Sequence, residues 1–428
     1  MIASAKRFAR SEFARHGLLV FIATTSVNAL GYAFHFAISR KIGVEQYGVL
    51  AALNAAYMLG TVASVIAGTV VIKYAAEFRA ADDEAHLAAL VRGLCLYGSF
   101  AAVAVIIAGY LTAPAIAAYL KIANVPAATL MIAIIGISSV GQTIRGVFNG
   151  IEDFAQFSIS AVMESTLKAA LGIGFAYAGG GVLGAFAGWA AGSTIAFLYT
   201  TTVLLLRYRN VPPKALYIDL RRLAITMAGV SAATLLLTSI SYVDVIVVKH
   251  YADPTTAGLY GALSLSGKIL LFFVAFVPTV LLPKASRQAL EGKSPVGILA
   301  TSVGVVLALS CTGLVVYYFY PTFVITALAG NSFAAASPYV FSYGIAMVLL
   351  AALNTVVVFK IGIHRFEFIA PLCLCAVGEL VGISVYHSSL TQIIEVLIGG
   401  NAIALAASAY GITAPLRPAA TRQRSEAA

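Results

Sequence analysis

Glu164 and Lys168 stand four residues apart inside the apolar run 157–178. On a helix that spacing puts both on one face, acid first, which is the more favourable order. At 1.5 Å per residue both fall near the middle of a membrane-crossing segment. A charge there is costly against lipid, so such groups usually line a bundle interior or a cavity. Two readings fit the pair. Either Lys168 offers its ammonium to an anionic ligand while Glu164 holds it or exchanges a proton, or the two neutralise each other and only pack.

Other ionisable groups share this depth or its margins. Lys268 lies within the run 259–282 and has no acid three or four residues away. Its partner is another helix or a ligand, unless its stem snorkels to the nearer surface. Arg145 sits near the end of 127–150, and Arg40 and Lys249 near the ends of the first and seventh runs. A guanidinium can grip phosphate oxygens with a two-pronged fork; the plainer role for all three is to anchor a helix end at the interface. Asp244, five residues before Lys249, either pairs with a nearby cation or functions. Glu379, in the run 368–388, has no local partner, and a lone carboxyl at that depth is protonated or proton-coupled. Lys168, Lys268, Arg145, Arg40 and Lys249 are thus candidates for binding an anion. Glu164, Asp244 and Glu379 are candidates for ion coupling. Asn28, Asn54 and Gln142 suit hydrogen bonds between helices, His35 an interfacial one, and Glu395 is expected to be wet.

Catalytic signatures are missing from the sequence. Gly179-Gly180-Gly181 is not followed by Gly-Lys-Ser/Thr, so it is no phosphate loop, and its glycines suit a tight turn. No nucleophile elbow and no metal-ligand spacing occurs. Cys95, Cys311, Cys373 and Cys375 all lie in apolar runs, which suits packing rather than disulfides or metal. The expectation is a non-enzyme with no cofactor and no metal, driven by an ion gradient, by its substrate's gradient or by a partner.

Helices must position these groups. Of 428 residues 61% are hydrophobic and only 10% charged, and mean hydropathy is +0.94. A soluble chain carries about 25% charged residues. Roughly 20 apolar residues cross a hydrocarbon core about 30 Å thick as a helix, whereas barrel strands would be about 10 residues of alternating polarity. The predicted fold is all-α and polytopic, with spans at 17–38, 49–72, 90–112, 127–150, 157–178, 183–206, 223–248, 259–282, 296–318, 339–359, 368–388 and 390–412. Residues 1–16 are basic and amphipathic, suited to an anionic lipid surface. Residues 413–428 are expected to be a disordered tail.

With the N-terminus on the cytoplasmic side, the opposite side keeps only Arg40, Lys41, Lys121 and Lys249 of the 27 lysines and arginines, with Lys168 and Lys268 inside spans. That bias favours twelve spans with both ends cytoplasmic. The net charge of +10 lies in the connections and forms no nucleic-acid stripe. The domains expected are two bundles, 17–206 and 223–412, joined by the basic linker 207–222 with Pro212-Pro213. Residues 38–50 and 248–261 carry related patterns of cation, acid, glycine and tyrosine between apolar runs, so the halves form a parallel repeat. Gly48 and Gly258 are the expected turn glycines.

Arg40-Lys-Ile-Gly-Val-Glu-Gln-Tyr-Gly48 resembles the loop after the first span of the polysaccharide transporter family. That family includes the Wzx-type flippases of lipid-linked oligosaccharides, in a superfamily with multidrug antiporters and lipid II flippases. Lys73-Tyr-Ala-Ala-Glu77, 145–154, 179–185, 329–333 and 336–338 extend the resemblance over nearly the whole chain. It implies translocation of a polyprenyl-pyrophosphate oligosaccharide across the bacterial cytoplasmic membrane by alternating access, with polysaccharide polymerases or other assembly proteins as partners. A cation-coupled multidrug antiporter and a non-transporting assembly scaffold are the alternatives.

Overall fold

The computed structural model describes residues 12–216, 220–291 and 294–412. The predicted tail 413–428 and most of the basic segment 1–16 lie outside them. The described residues are helical with short connections and contain no strand. The chain divides into two compact units, Met1–Leu220 and Arg221–Ala428.

In the first unit α1 is Glu12–Gly60, α2 Val62–Ala80, α3 Glu84–Tyr119, α4 Val125–Gly150, α5 Phe154–Phe175 and α6 Gly181–Arg207. In the second, α7 is Leu220–Tyr251, α8 Pro254–Phe273, α9 Phe276–Leu290, α10 Val296–Phe319, α11 Pro321–Ala329, α12 Val340–Gly362, α13 Ile369–Val385 and α14 Leu390–Ala409. Nine helical stretches among the described residues are long and apolar enough to cross a membrane, and Ile369–Val385 is a shorter apolar helix. Two of the nine, His16–Ala80 and Phe154–Arg207, are too long for one crossing: 65 residues would reach about 98 Å as one straight helix. Both turn back at glycine. The protein is a polytopic helical membrane protein.

The turn in α1 is made by Gly43, at φ 76°, and not by Gly48. Tyr47 hydroxyl lies 3.2 Å from His35 Nδ1. Twelve residues along a straight helix would separate them by about 18 Å, so the chain doubles back between them. Arg40 and Lys41 therefore lie on a helical end rather than in a loop, and Gly48 is buried in the second arm. Gly258 is likewise buried in helix, within the first turns of α8. The second reversal uses Gly179, φ 102°, and Gly181, φ 52°, as the glycine run predicts.

Several passages restart at side-chain caps. Asp83 accepts from His86 N–H, Asp153 from Gln156 N–H, Asp253 from Thr255 and Thr256 N–H, and Ser389 from Gln392 N–H. Each satisfies a backbone donor that the first turn leaves open. The predicted spans 49–72 and 259–282 are each interrupted, at Thr61 and at Val274–Ala275.

Two packing features matter below. A Cβ on Gly184, Gly188 or Gly192 would stand 2.6, 2.3 or 2.7 Å from backbone atoms of α5. This small-residue stripe at every fourth position lets α5 and α6 touch backbone to backbone. In the second unit Lys360 is fully buried, and its ammonium donates to the Tyr410 carbonyl at 2.7 Å and to Glu367 Oε1 at 3.3 Å.

Candidate functional site

Each unit buries its own polar cluster. In the first, α4 brings Arg145 and Ser138, α5 brings Glu164 and Lys168, and α6 brings Trp189 and Ser193. Arg145 Nη2 makes a close ion pair with one oxygen of Glu164. The other oxygen accepts from Ser138 at 3.2 Å and Ser193 at 3.3 Å. The side chains of Arg145 and Glu164 are only 12% and 15% exposed. Glu164 is therefore held by Arg145 of the adjacent helix and not by Lys168. The i,i+4 pairing of the sequence gives way because the Arg145 guanidinium of α4 reaches one carboxylate oxygen while Ser138 and Ser193 take the other, and Lys168 turns to Trp189.

Lys168 turns to aromatic rings instead. Its ammonium lies 3.5 Å from the ring centre of Trp189 and 5.1 Å from that of Phe34. Trp189 is brought there by the stripe Gly184–Gly188–Gly192, and it is held by stacking on Phe186 and by the edges of Tyr57 and Phe34. A desolvated cation over tryptophan gains about 2 kcal/mol, without neutralising the charge. Among the described residues no carboxylate lies within ion-pair distance of Lys168. The cluster holds two cations and one anion, so one positive charge is uncompensated. Gln142 Nε2 reaches the Tyr57 hydroxyl at 3.5 Å, completing a polar rim.

The second unit has a different balance. Asp244 on α7 is buried and accepts from the Tyr260 hydroxyl of α8 at 2.7 Å and the Tyr343 hydroxyl of α12 at 3.1 Å. Its partners are two phenols rather than a cation, and its Oδ1 has no hydrogen bond. Lys268 on α8 is buried, donates to Ser264 Oγ at 2.7 Å and covers the Tyr242 ring at 4.0 Å. Glu379 on α13 is buried against Gly400 of α14 and has no hydrogen-bond or ion-pair partner among the described residues. Lys249 is buried near the end of α7.

Arg40 is not part of the first unit's cluster. It is exposed, with its guanidinium 3.6 Å over the ring of Phe36 and donating to the Phe36 carbonyl at 2.9 Å. Glu395 and Asn28 are exposed. The sequence reading did not single out Trp189, Ser138, Ser193, Tyr242, Ser264 or Tyr343. The glycine stripe 184–188–192 carried the signal for Trp189, since it marks the face of α6 that must press on α5. No comparable signal announced Tyr343, which arrives from 99 residues away in sequence.

Outside the spans, the Asp253 carboxyl is held below its ordinary range by hydrogen bonds from Thr256, first its hydroxyl and then its N–H, with the Thr255 N–H adding to them. Among the described residues no three histidine, cysteine or acidic side chains converge as a metal site, and all four cysteines are free.

No protein-family model and no curated protein matches the chain. Solved structures do. An inward-facing multidrug resistance transporter of the MATE family, in the MOP superfamily, aligns over 94% of this chain and 95% of its own, at TM-score 0.76 and 13% identity. The lipid II flippase MurJ, in an inward closed conformation, aligns over 93% and 87%, at TM-score 0.65 and 13% identity. A MOP-superfamily transporter from Pyrococcus furiosus, described by the reverse polarity of its binding pocket, aligns over 95% and 96%, at TM-score 0.56 and 11% identity. At such identities the likeness is one of fold: this chain has the fold of MOP-superfamily membrane transporters.

Proposed function

We propose that the protein flips a lipid-linked anionic oligosaccharide, carried on polyprenyl pyrophosphate, across the bacterial cytoplasmic membrane for cell-surface polysaccharide assembly. The observation that carries this reading is Lys168, a cation at membrane depth resting on Trp189 with no carboxylate opposite it. A diphosphate crossing hydrocarbon loses its hydration, and a desolvated ammonium replaces it at the point of greatest cost. Arg145 supplies a second cation whose Nε has no partner, while Glu164 keeps its other edge fixed. Ser138, Ser193, Gln142 and Tyr57 suit sugar hydroxyls. Lys268 offers the second unit's ammonium; Arg40 and Lys249 would attract the head group at the outer ends of their helices. The transporter fold, shared with one protein described as a lipid II flippase, supports alternating access as the route. Both termini would lie in the cytoplasm, beside anionic lipids and polysaccharide assembly proteins.

In this scheme Asp244 and Glu379 couple transport to an ion. A second reading, a cation-coupled multidrug exporter, draws on the same two acids, because buried carboxylates suit cationic drugs.

The test is Lys168→Gln. Because Glu164 is held by Arg145, removing Lys168 leaves no orphaned carboxylate. Membrane abundance should stay near that of the parent while surface polysaccharide, made by a flippase-deficient strain at matched protein level, is lost. Export equal to that of the parent would remove Lys168 from the transport path and refute the reading. Resistance to cationic drugs conferred by the parent chain would favour the exporter instead.

A further inference from the structure

The rings beside Lys168 form a corner. Trp189 and Phe34 have their centres 6.2 Å apart and their planes at 68°. The Lys168 ammonium is 3.5 Å from the first centre and 5.1 Å from the second. Those three distances close a triangle that is nearly right-angled at the ammonium, so one cation stands over two rings at once. Both contacts fall within the roughly 6 Å over which a ring face attracts a cation. Rings turned on one point are how proteins hold organic ammonium groups such as choline and methylated lysine.

The walls of this corner are fixed, while its occupant keeps a side open. Trp189 and Phe34 are 2% and 1% exposed. Tyr57 braces the Trp189 ring at 4.6 Å, and Phe186 stacks on it at 5.8 Å. Phe34 has no room to swing toward α5, since a Cβ on Gly172 would stand 2.7 Å from its ring. Lys168, Glu164 and Arg145, by contrast, are only partly buried. Charge then decides what else can enter. Glu164 is neutralised by Arg145, so with Lys168 in place the cluster carries one net positive charge and repels a second cation. Without Lys168 the cluster is neutral and the ring corner is vacant.

We propose that Trp189 and Phe34 form a binding corner for an organic ammonium and that Lys168 is its built-in occupant, which sets the sign of the first unit's site by excluding organic cations. The open side of the ammonium stays free for an anion. The exclusion holds whichever anion is carried, and so goes beyond the proposed function.

Lys168→Ala removes the occupant and leaves a vacancy that matches n-propylammonium, the part of the side chain beyond Cβ. Trp189 is the only tryptophan in the chain, so its fluorescence reports on the corner. The experiment titrates n-propylammonium into full-length protein in a maltoside detergent. Lys168→Ala should give a saturable change in Trp189 emission, with about tenfold higher affinity than for 1-propanol, the neutral molecule of the same shape. The parent and Lys168→Met, whose thioether chain fills the same space, should give none. No response in Lys168→Ala at parental abundance, the same response in the parent or in Lys168→Met, or equal affinity for 1-propanol overturns the inference. Lys168→Ser opens the same space and takes the place of Lys168→Ala should that variant not accumulate. Failure of both to accumulate with n-propylammonium supplied through growth and purification overturns the inference too, since an amine that binds only the folded state stabilises it. An amine response together with full export by Lys168→Gln keeps the ring corner and sinks the head-group role of Lys168. Lost export without an amine response does the reverse.

Discussion

Glu164→Gln is the most informative single change in the first unit. It removes the anion facing Arg145 and leaves a guanidinium at membrane depth without its ion-pair partner. Breaking a buried ion pair from one side costs about 3–5 kcal/mol. The 12% and 15% exposure of the two side chains puts this pair at the lower end, about 3 kcal/mol. At about 2–4 °C per kcal/mol for a unit of this size, the midpoint of thermal unfolding should fall by about 6–12 °C. Arg145→Gln with Glu164→Gln removes both charges and should recover most of that loss. The control cycle is Glu164→Gln with Lys168→Gln. The structure gives Lys168, which rests on Trp189, no hydrogen bond or ion pair with Glu164, so whatever its removal costs should nearly add to the loss at Glu164. The assay is a double-mutant cycle on purified protein in one detergent, read by unfolding midpoint and by membrane abundance. Coupling between Glu164 and Arg145 should be at least twice that between Glu164 and Lys168. The reverse order would mean that the sequence-adjacent pair is the real one and that the assignment of Arg145 is wrong.

Gly43→Val forces a β-branched residue to φ 76° and should cost about 1–3 kcal/mol through backbone strain alone, since open space surrounds an added Cβ there; abundance equal to that of the parent would show the turn is tolerant. Gly188→Leu should lower abundance more than Gly17→Leu does, because a Cβ at 188 meets Leu171 backbone at 2.3 Å while one at 17 meets nothing within 4 Å. Asp253→Ala should destabilise the second unit by about 0.5–2 kcal/mol at neutral pH by removing the cap of α8. The folded carboxyl is held low by its hydrogen bonds, so this contribution is present above the ordinary aspartate range and is lost as pH falls through the folded value; a difference between parent and Asp253→Ala that grows on acidification would refute it.

The span pattern was legible because hydropathy over twenty residues is a sum that few local details can disturb. Turn chemistry was less so. Tyr47-Gly48 looked like the pivot because it recurs near Tyr260, yet the tyrosines are kept for a different purpose: each reaches back across its turn to a titratable group, Tyr47 to His35 and Tyr260 to Asp244. The pivot is Gly43, whose need for positive φ leaves no mark on composition. The charges at membrane depth were legible as residues but not as partners. Spacing along one helix describes an isolated helix well, and in a bundle a neighbouring helix competes for the same carboxylate. Arg145 wins Glu164 for that reason, 19 residues away in sequence. Trp189 under Lys168 follows from a close helix crossing, which glycine spacing hints at but cannot aim.

The buried Lys360 imposes an order of events on synthesis. One of its acceptors, the Tyr410 carbonyl, is made fifty residues later. At about 5–20 residues per second, the ammonium waits several seconds with only the half-exposed Glu367 near it. Until α14 has entered the membrane and its last carbonyls have reached α12, the last turn of α12 carries a buried cation that lacks its nearest acceptor. The final helix is therefore the one that permits its predecessors to settle, and a nascent chain arrested before Tyr410 should stay open to quality-control proteases where the finished chain is closed to them.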